Sequence, residues 1–173
     1  WLWAALVCGV ILFLATDIGI VDSLFESMSA LTGSGITIYP DVESLPNSVL
    51  FFRGFQQWIG GLGIIFFTIA VLPVFGVGGV QLFAAEATGP RHDKVHPRIS
   101  VTAKWIWSIY LGLTVVCAFL FSLGGMSVFD SICHSMATTA TGGFSTRNAS
   151  IAAFDSAYIE YVTIFFMFLS GIN

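Results

Sequence analysis

The sequence predicts an all-α membrane protein in which one unit occurs twice in tandem: long helix, short re-entrant helix, glycine strip, long helix. Three observations predict it. Hydrophobic residues make up 56% of the 173 and charged residues 9%, with a mean hydropathy of +0.89, so no polar shell could cover a soluble globule of this size. Two moderately apolar stretches, "DSLFESMSAL" and "FDSICHSMATT", are about half the ~20 residues that a helix needs to cross a bilayer. Each runs into a strip of glycine and small hydroxyl residues, "ALTGSGITIY" at 30–39 and "TATGGFSTR" at 139–147.

The elements follow in order. Residues 1–16 are apolar and predict the last part of a spanning helix; the run lacks the basic start and small-residue cleavage pattern of a signal peptide. A short acidic loop with Asp17, Gly19 and Asp22 precedes the first short helix, and Asp22 or Ser23 is suited to cap its start. After the first strip, "YPDVESLPNS" is a polar loop. Residues 48–72 predict a long apolar helix closing at Pro73, and 74–85 an apolar extension. Residues 86–104 are the most charged part of the chain. Residues 99–123 predict a full-length apolar helix, followed by the second short helix, the second strip, and a further spanning helix over 157–173. The domains are thus a first repeat over 1–85, a connecting loop over 86–98, and a second repeat over 99–173. The chain starts without methionine and stops inside an apolar run, so a fragment of a longer polypeptide is expected.

Internal repetition is tested by setting residues 22–39 on 130–147, an offset of 108. Asp22 pairs with Asp130, Ser23 with Ser131, Ser27 with Ser135, Met28 with Met136 and Gly35 with Gly143: five identities in eighteen. Leu24/Ile132 and Thr37/Ser145 are near matches. The same order of elements on both sides points to duplication.

Charge sets orientation. Of six basic residues, Arg91, Lys94, Arg98 and Lys104 lie between the repeats, so the positive-inside rule places 86–104 in the cytoplasm. Both strips then face outward, flanked by Asp17, Asp22, Asp41, Glu43, Asp130 and Asp155, and an acidic mouth concentrates cations. Irregular backbone at membrane depth survives only when it is buried in protein or lines a watery cavity. A short helix ending there points partially negative carbonyls at whatever follows. Glycine then permits the φ/ψ values that align backbone carbonyls around a dehydrated cation. These are the parts of a cation selectivity filter. Ordinary turns would need neither a half-length helix before them nor the same internal order twice.

"FESMSALTGSGITIY", "QWIGGLGIIFFTIAVLP", "AEATGPRHDKVHPRI" and "HSMATTATGGFSTRN" resemble the Trk/Ktr/HKT superfamily of potassium transporters, closest to its bacterial TrkH branch. The likeness covers nearly the whole chain. It implies helix–pore-loop–helix repeats, four to a polypeptide, with a fold similar to a potassium channel whose four subunits are fused. This chain would hold two adjacent repeats, and two more, with the family's intramembrane gating loop, would lie outside it. The filter segments implied are Thr32, Gly33, Ser34, Gly35 and Ile36, with Ala140, Thr141, Gly142, Gly143 and Phe144. Gly35 and Gly143 are the filter glycines at which potassium would bind. Plant relatives with serine at the first filter position favour sodium, so Gly35 implies potassium. "TGSG" departs from the run of threonines common in relatives.

The function implied is potassium translocation through a carbonyl-lined filter as part of a Trk-type uptake system, in a multi-pass protein of the inner (plasma) membrane. A sodium- or proton-coupled symporter using the same pore, or a structural membrane subunit, are the alternatives. Potassium is cargo, and no organic cofactor is expected. No Ser/His/Asp set or carboxylate pair is spaced for chemistry in the apolar runs, so an enzyme is not expected either. Partners implied are the remaining repeats, a second copy in a homodimer, a cytosolic nucleotide-binding regulatory subunit on the 86–104 side and membrane lipid, with no nucleic acid.

Other features have plainer readings. "GSG" lacks the third glycine and helix start of a dinucleotide fingerprint. Gly60, Gly61 and Gly63 suit close helix packing or a pore-lining bend. His134 falls opposite Glu26 in the repeat alignment and suits a polar contact behind the filter, a proton role or a metal role. Arg147 either anchors the loop to an acidic neighbour or is solvated. Asn148–Ser150 is formally a glycosylation sequon. Glu160 suits the interface or an outer vestibule, and Asn173 a pore-facing position. Cys8, Cys117 and Cys133 have no paired spacing and read as small buried residues.

Overall fold

The computed structural model describes residues 1–63 and 99–172, the first five of the latter as helical backbone. Among them are six α-helices and one 3₁₀ turn and no strand: α1 (Leu2–Ala15), α2 (Ile20–Thr32), α3 (Asn47–Leu62), α4 (Ile99–Leu123), α5 (Val128–Thr139), the 3₁₀ turn Ser150–Phe154 and α6 (Ala157–Gly171).

Two expected boundaries change. The short helix α2 starts at Ile20, and its N-cap is Gly19 in extended backbone (φ −63°, ψ 153°). Asp22 and Ser23 do not cap it; they lie in its first turn, where Asp22 still complements the helix dipole and the Ser23 hydroxyl donates to the Gly19 carbonyl at 3.0 Å. The long helix expected over 48–72 closes at Leu62, because Gly63 turns into the left-handed region at φ 81°. The remainder of that prediction, Pro73, the 74–85 extension, and Arg91, Lys94 and Arg98 of the connecting loop lie outside the described residues, as does Asn173.

α5 is better capped. The Ser127 hydroxyl accepts the Asp130 N–H at 3.0 Å and donates to the Asp130 carboxylate at 2.8 Å, so cap and first turn satisfy each other. In α4, Lys104–Leu123 forms the one described helix long and apolar enough to cross a membrane, with a mean hydropathy of 2.1. The surface is apolar where a soluble protein's is polar: Leu2, Trp3 and Leu14 of α1 are 72%, 81% and 77% exposed.

The chain divides into two compact units, Leu62–Gly112 and the combination of Trp1–Gly61 with Leu113–Asn173. The second unit holds both short helices and both strips. Its largest apolar cluster joins Cys117 and Phe121 of α4 to Met126 and to Ile159 and Phe166 of α6. In lipid, helix association depends on close packing and interhelical hydrogen bonds, since the acyl chains are as apolar as the side chains. α3 shows both. A Cβ on Gly60 would strike the Leu31 carbonyl of α2, and one on Gly54 would touch Cys133 and Met136 of α5. Close packing, the first of the two readings for the glycine-rich end of α3, therefore holds at Gly60. Trp58 donates its indole N–H to Thr114 of α4 at 2.9 Å, and Thr114 shares a 3.1 Å hydrogen bond with Thr139 of α5. One helix thus touches both short helices, and that position builds the site.

Candidate functional site

Both short helices end the same way, and the offset of 108 runs through the hydrogen bonds as well as the sequence. At the end of α2, Gly33 N–H bonds to Ala30 O at 3.1 Å and Ser34 N–H to Ser29 O at 3.1 Å. At the end of α5, Thr141 N–H bonds to Thr138 O at 3.0 Å and Gly142 N–H to Ala137 O at 2.9 Å. Gly33 and Thr141 both sit in the left-handed region, at φ 71° and 52°, and so do Gly35 and Gly143, at 69° and 93°. Threonine at Thr141 pays the steric cost that Gly33 avoids.

Thr32 and Ala140 belong to the helix ends: Thr32 closes α2, its hydroxyl donating to Met28 O at 2.8 Å, and Ala140 is the C-cap of α5. Gly33–Ile36 and Thr141–Phe144 are the strips proper. They touch. A Cβ on Gly35 would run into the Gly142 carbonyl oxygen and close on the Gly143 Cα, so the strips lie side by side only because Gly35 has no side chain. The structure brings the two sequence-predicted glycine segments together in one place.

The C-terminal ends of the strips are tied to the scaffold by their hydroxyl residues. Glu26 of α2, fully buried, accepts the Thr37 hydroxyl at 2.9 Å and the Ile38 N–H at 3.0 Å. His134, its equivalent on α5, bonds to the Ser145 hydroxyl at 2.9 Å through Nε2 and to the Asp130 carbonyl at 2.8 Å through Nδ1. Both ring nitrogens are engaged by oxygen, and among the described residues no three His, Cys, Asp or Glu are grouped to hold a metal ion; polar contact behind the strip is the role the structure shows. The hydroxyls close matching turns, Thr37 accepting Tyr39 N–H at 3.2 Å and Ser145 accepting Arg147 N–H at 2.9 Å.

The sequence reading passed over two α3 side chains. Arg53, 2% exposed, forms a 2.6 Å ion pair with Glu26, donates to Thr37 Oγ1 at 2.8 Å, and lays its guanidinium 4.4 Å from the centroid of the Phe144 ring. It therefore holds strip 1 through charge and strip 2 through a cation–π contact. One turn on, Gln57 is fully buried and its Oε1 accepts the Phe144 N–H at 3.0 Å. A Cβ on Gly142 would strike this amide, so strip 2 passes directly over Gln57. The available signal was an arginine inside an apolar helix, where an ionisable group needs a buried partner.

A second set of contacts joins the loops that follow the two strips. Arg147 pairs with Asp130 at 3.0 Å and approaches Glu43 at 4.0 Å, so it anchors the loop to acidic neighbours. Asn148 accepts Val42 N–H at 2.8 Å, donates to Asp41 Oδ1 at 2.7 Å, and gives its own N–H to Glu43 at 3.0 Å. The Asn148 amide holds the Asp41 carboxyl below its ordinary value. The asparagine of the formal sequon is thus already committed to hydrogen bonds. Glu160 is exposed in the first turn of α6. Cys117 and Cys133 are buried and Cys8 half-buried, all three unpaired. Beside strip 2, a cavity of about 150 Å³ is lined by His134 and Thr138 of α5, Gly142 and Gly143 of the strip, and Thr163 and Met167 of α6.

Known proteins resemble the chain over most of its length. The chain is 50% identical over 158 residues to the Trk system potassium uptake protein TrkH of Vibrio parahaemolyticus, covering 91% of this chain and 33% of that protein. It is 49% identical over 158 residues, with the same coverage, to the Trk system potassium uptake protein TrkH of Escherichia coli K12. The Trk system potassium uptake protein TrkI of Halomonas elongata is 43% identical over 140 residues, 81% of this chain and 28% of that one. The crystal structure of the potassium transporter TrkH from Vibrio parahaemolyticus superposes with a TM-score of 0.70 at 46% identity, covering 90% of this chain and 30% of that one. The chain spans about a third of the length of these relatives. The family model for the TrkH cation transport protein matches residues 9–173, and the chain belongs to that family of helical membrane transporters.

Proposed function

We propose that this chain contributes two adjacent strips to a potassium-selective filter, in a longer polypeptide that moves potassium across the membrane as part of a Trk-type uptake system. The observation that carries the reading is the pairing of the strips: two re-entrant helices deliver left-handed glycines, Gly35 and Gly143, to one place, with Gly35 packed against the Gly142 carbonyl. The ion-binding residues are Gly33–Ile36 and Thr141–Phe144, with Thr32 and Ala140 at the helix ends behind them. The relatives named as potassium uptake proteins support potassium as cargo.

The length of the relatives, of which this chain spans about a third, supports further repeats of the same polypeptide as neighbours. The reading places the protein in the inner membrane with both strips outward and residues 86–104 in the cytoplasm. There a nucleotide-binding regulatory subunit would dock, and a second copy would complete a homodimer.

The test replaces Gly35 or Gly143 by serine in the full-length protein, reconstituted in vesicles. Discrimination of K⁺ or Rb⁺ against Na⁺ falls in both variants if the reading is right. Unchanged flux and unchanged selectivity in both would remove it.

A further inference from the structure

We infer that Gln57 is a positioning residue that sets the direction of the Gly143 carbonyl, an inference that rests on the filter reading above. The argument begins with the peptide unit. The N–H of Phe144 and the C=O of Gly143 belong to one planar trans peptide and point in opposite directions. Gln57 Oε1 holds that N–H at 3.0 Å from the α3 side, so the Gly143 oxygen is directed away from α3. A similar hold operates in the first repeat two peptides further along: Glu26 Oε2 holds the Ile38 N–H at 3.0 Å and turns the Thr37 carbonyl away from α2.

The Gly143 peptide needs such a hold. At φ 93° Gly143 sits where glycine is conformationally free, and nothing lies within 4 Å of where its Cβ would be. Gly142, on its N-terminal side, has its Cα against the Gln57 amide, and the fully buried amide cannot exchange Phe144 for water. The nitrogen end of the Gln57 amide has no hydrogen-bond partner among the described residues, so the contact to Phe144 is what fixes which way the amide is turned. The Phe144 ring is fixed in turn by the Arg53 guanidinium one helical turn before Gln57. α3 of the first repeat therefore orients the strip of the second.

The experiment uses the full-length transporter in vesicles, with Rb⁺ uptake and Na⁺ competition as readouts. Gln57→Met removes the acceptor at similar size, whereas Gln57→Glu keeps it whether or not the carboxyl is ionised. With Gln57→Met, Rb⁺ over Na⁺ discrimination falls about threefold to tenfold, the equilibrium factor of one lost hydrogen bond, and Gln57→Glu restores most of it. Wild-type discrimination in Gln57→Met, or an equal loss in Gln57→Glu, overturns the inference, the latter because only packing would then be at stake. If Gln57→Met does not reach the membrane, the α-hydroxy-acid analogue of phenylalanine at position 144 deletes the N–H itself: the same loss supports the inference and wild-type discrimination overturns it. Gly143→Ser runs beside them. If it alters selectivity and the loss of the Gln57 contact does not, the inference fails and the filter reading stands; if neither does, the filter reading fails as well.

Discussion

Glu26 and His134 occupy equivalent places on the two short helices, and each reaches the hydroxyl of the strip that follows it, Glu26 at Thr37 and His134 at Ser145. One place thus holds a carboxylate and the other an imidazole. The reason lies on the long helices. The carboxylate is matched by Arg53 of α3, at 2.6 Å, while the position 108 residues after Arg53 is Tyr161, which is 73% exposed on α6. The nearest guanidinium there, Arg147, is already paired with Asp130 at 3.0 Å, so a buried carboxylate at the second place would have no partner of its own.

His134→Glu therefore destabilises the protein, on the order of 3 kcal/mol, because it buries an unpaired charge. His134→Gln, which keeps a donor and an acceptor, costs less. Thermal unfolding of the detergent-solubilised full-length protein ranks the two, and equal stability would contradict the assignment of Arg53 as the missing partner.

Arg53→Met leaves Glu26 charged and buried, and the expected loss is about 3–5 kcal/mol. Arg53→Met combined with Glu26→Gln recovers part of that loss, since no isolated charge remains. The cation–π contact to Phe144 is lost in both, so ion selectivity stays altered even where stability returns. Stability and uptake measured on the single and double variants separate the two effects.

Gly33 and Gly35 are expected to respond differently to a side chain. Nothing lies within 4 Å of a Cβ on Gly33, and its equivalent already holds Thr141 at positive φ, so Gly33→Asn costs about 1 kcal/mol or less in stability and disturbs transport less than a side chain at Gly35. Gly35→Ala meets the Gly142 carbonyl and forces the strips apart. Rb⁺ uptake by the two variants at matched membrane levels checks the contrast; equal behaviour would rule out the strip contact.

The Asn148 clasp gives a pH dependence. The Asn148 amide lowers the Asp41 carboxyl below 3.8, in a loop outside the spanning helices. A depressed folded value means the contribution is complete above the ordinary value and is lost as pH falls through the lowered one. Asn148→Ala is therefore less stable than wild type near neutral pH, and the gap narrows below pH 3.8. Unfolding midpoints of both proteins across acid pH test this, and a pH-independent gap would count against it.

Much of the architecture was legible because its signals are local. A half-length helix, a glycine strip and a repeat at a fixed offset are all written in neighbouring residues, and Gly35 and Gly143 could be aligned before either was seen. The bracing was not legible. Gln57 and Phe144 are 87 residues apart, and no periodicity in an apolar helix says which turn faces another repeat's strip. Arg53 offered a signal, an arginine within an apolar run, but its partners Glu26 and Phe144 come from two different segments. The start of α2 was misplaced because Asp and Ser favour caps, and Gly19 supplies the extended backbone instead. The end of α3 was misplaced because the run of glycines reads as packing, and Gly60 and Gly63 do different things.

Placing both repeats on one chain has a genetic consequence. In an assembly of identical subunits every codon change appears around the whole ring at once, so a substitution must suit all copies together. Here one position holds Gly33 in the first repeat and Thr141 in the second, and another holds Glu26 and His134. Each strip has its own codons, so the pair can differ one residue at a time while the contact at Gly35 is kept.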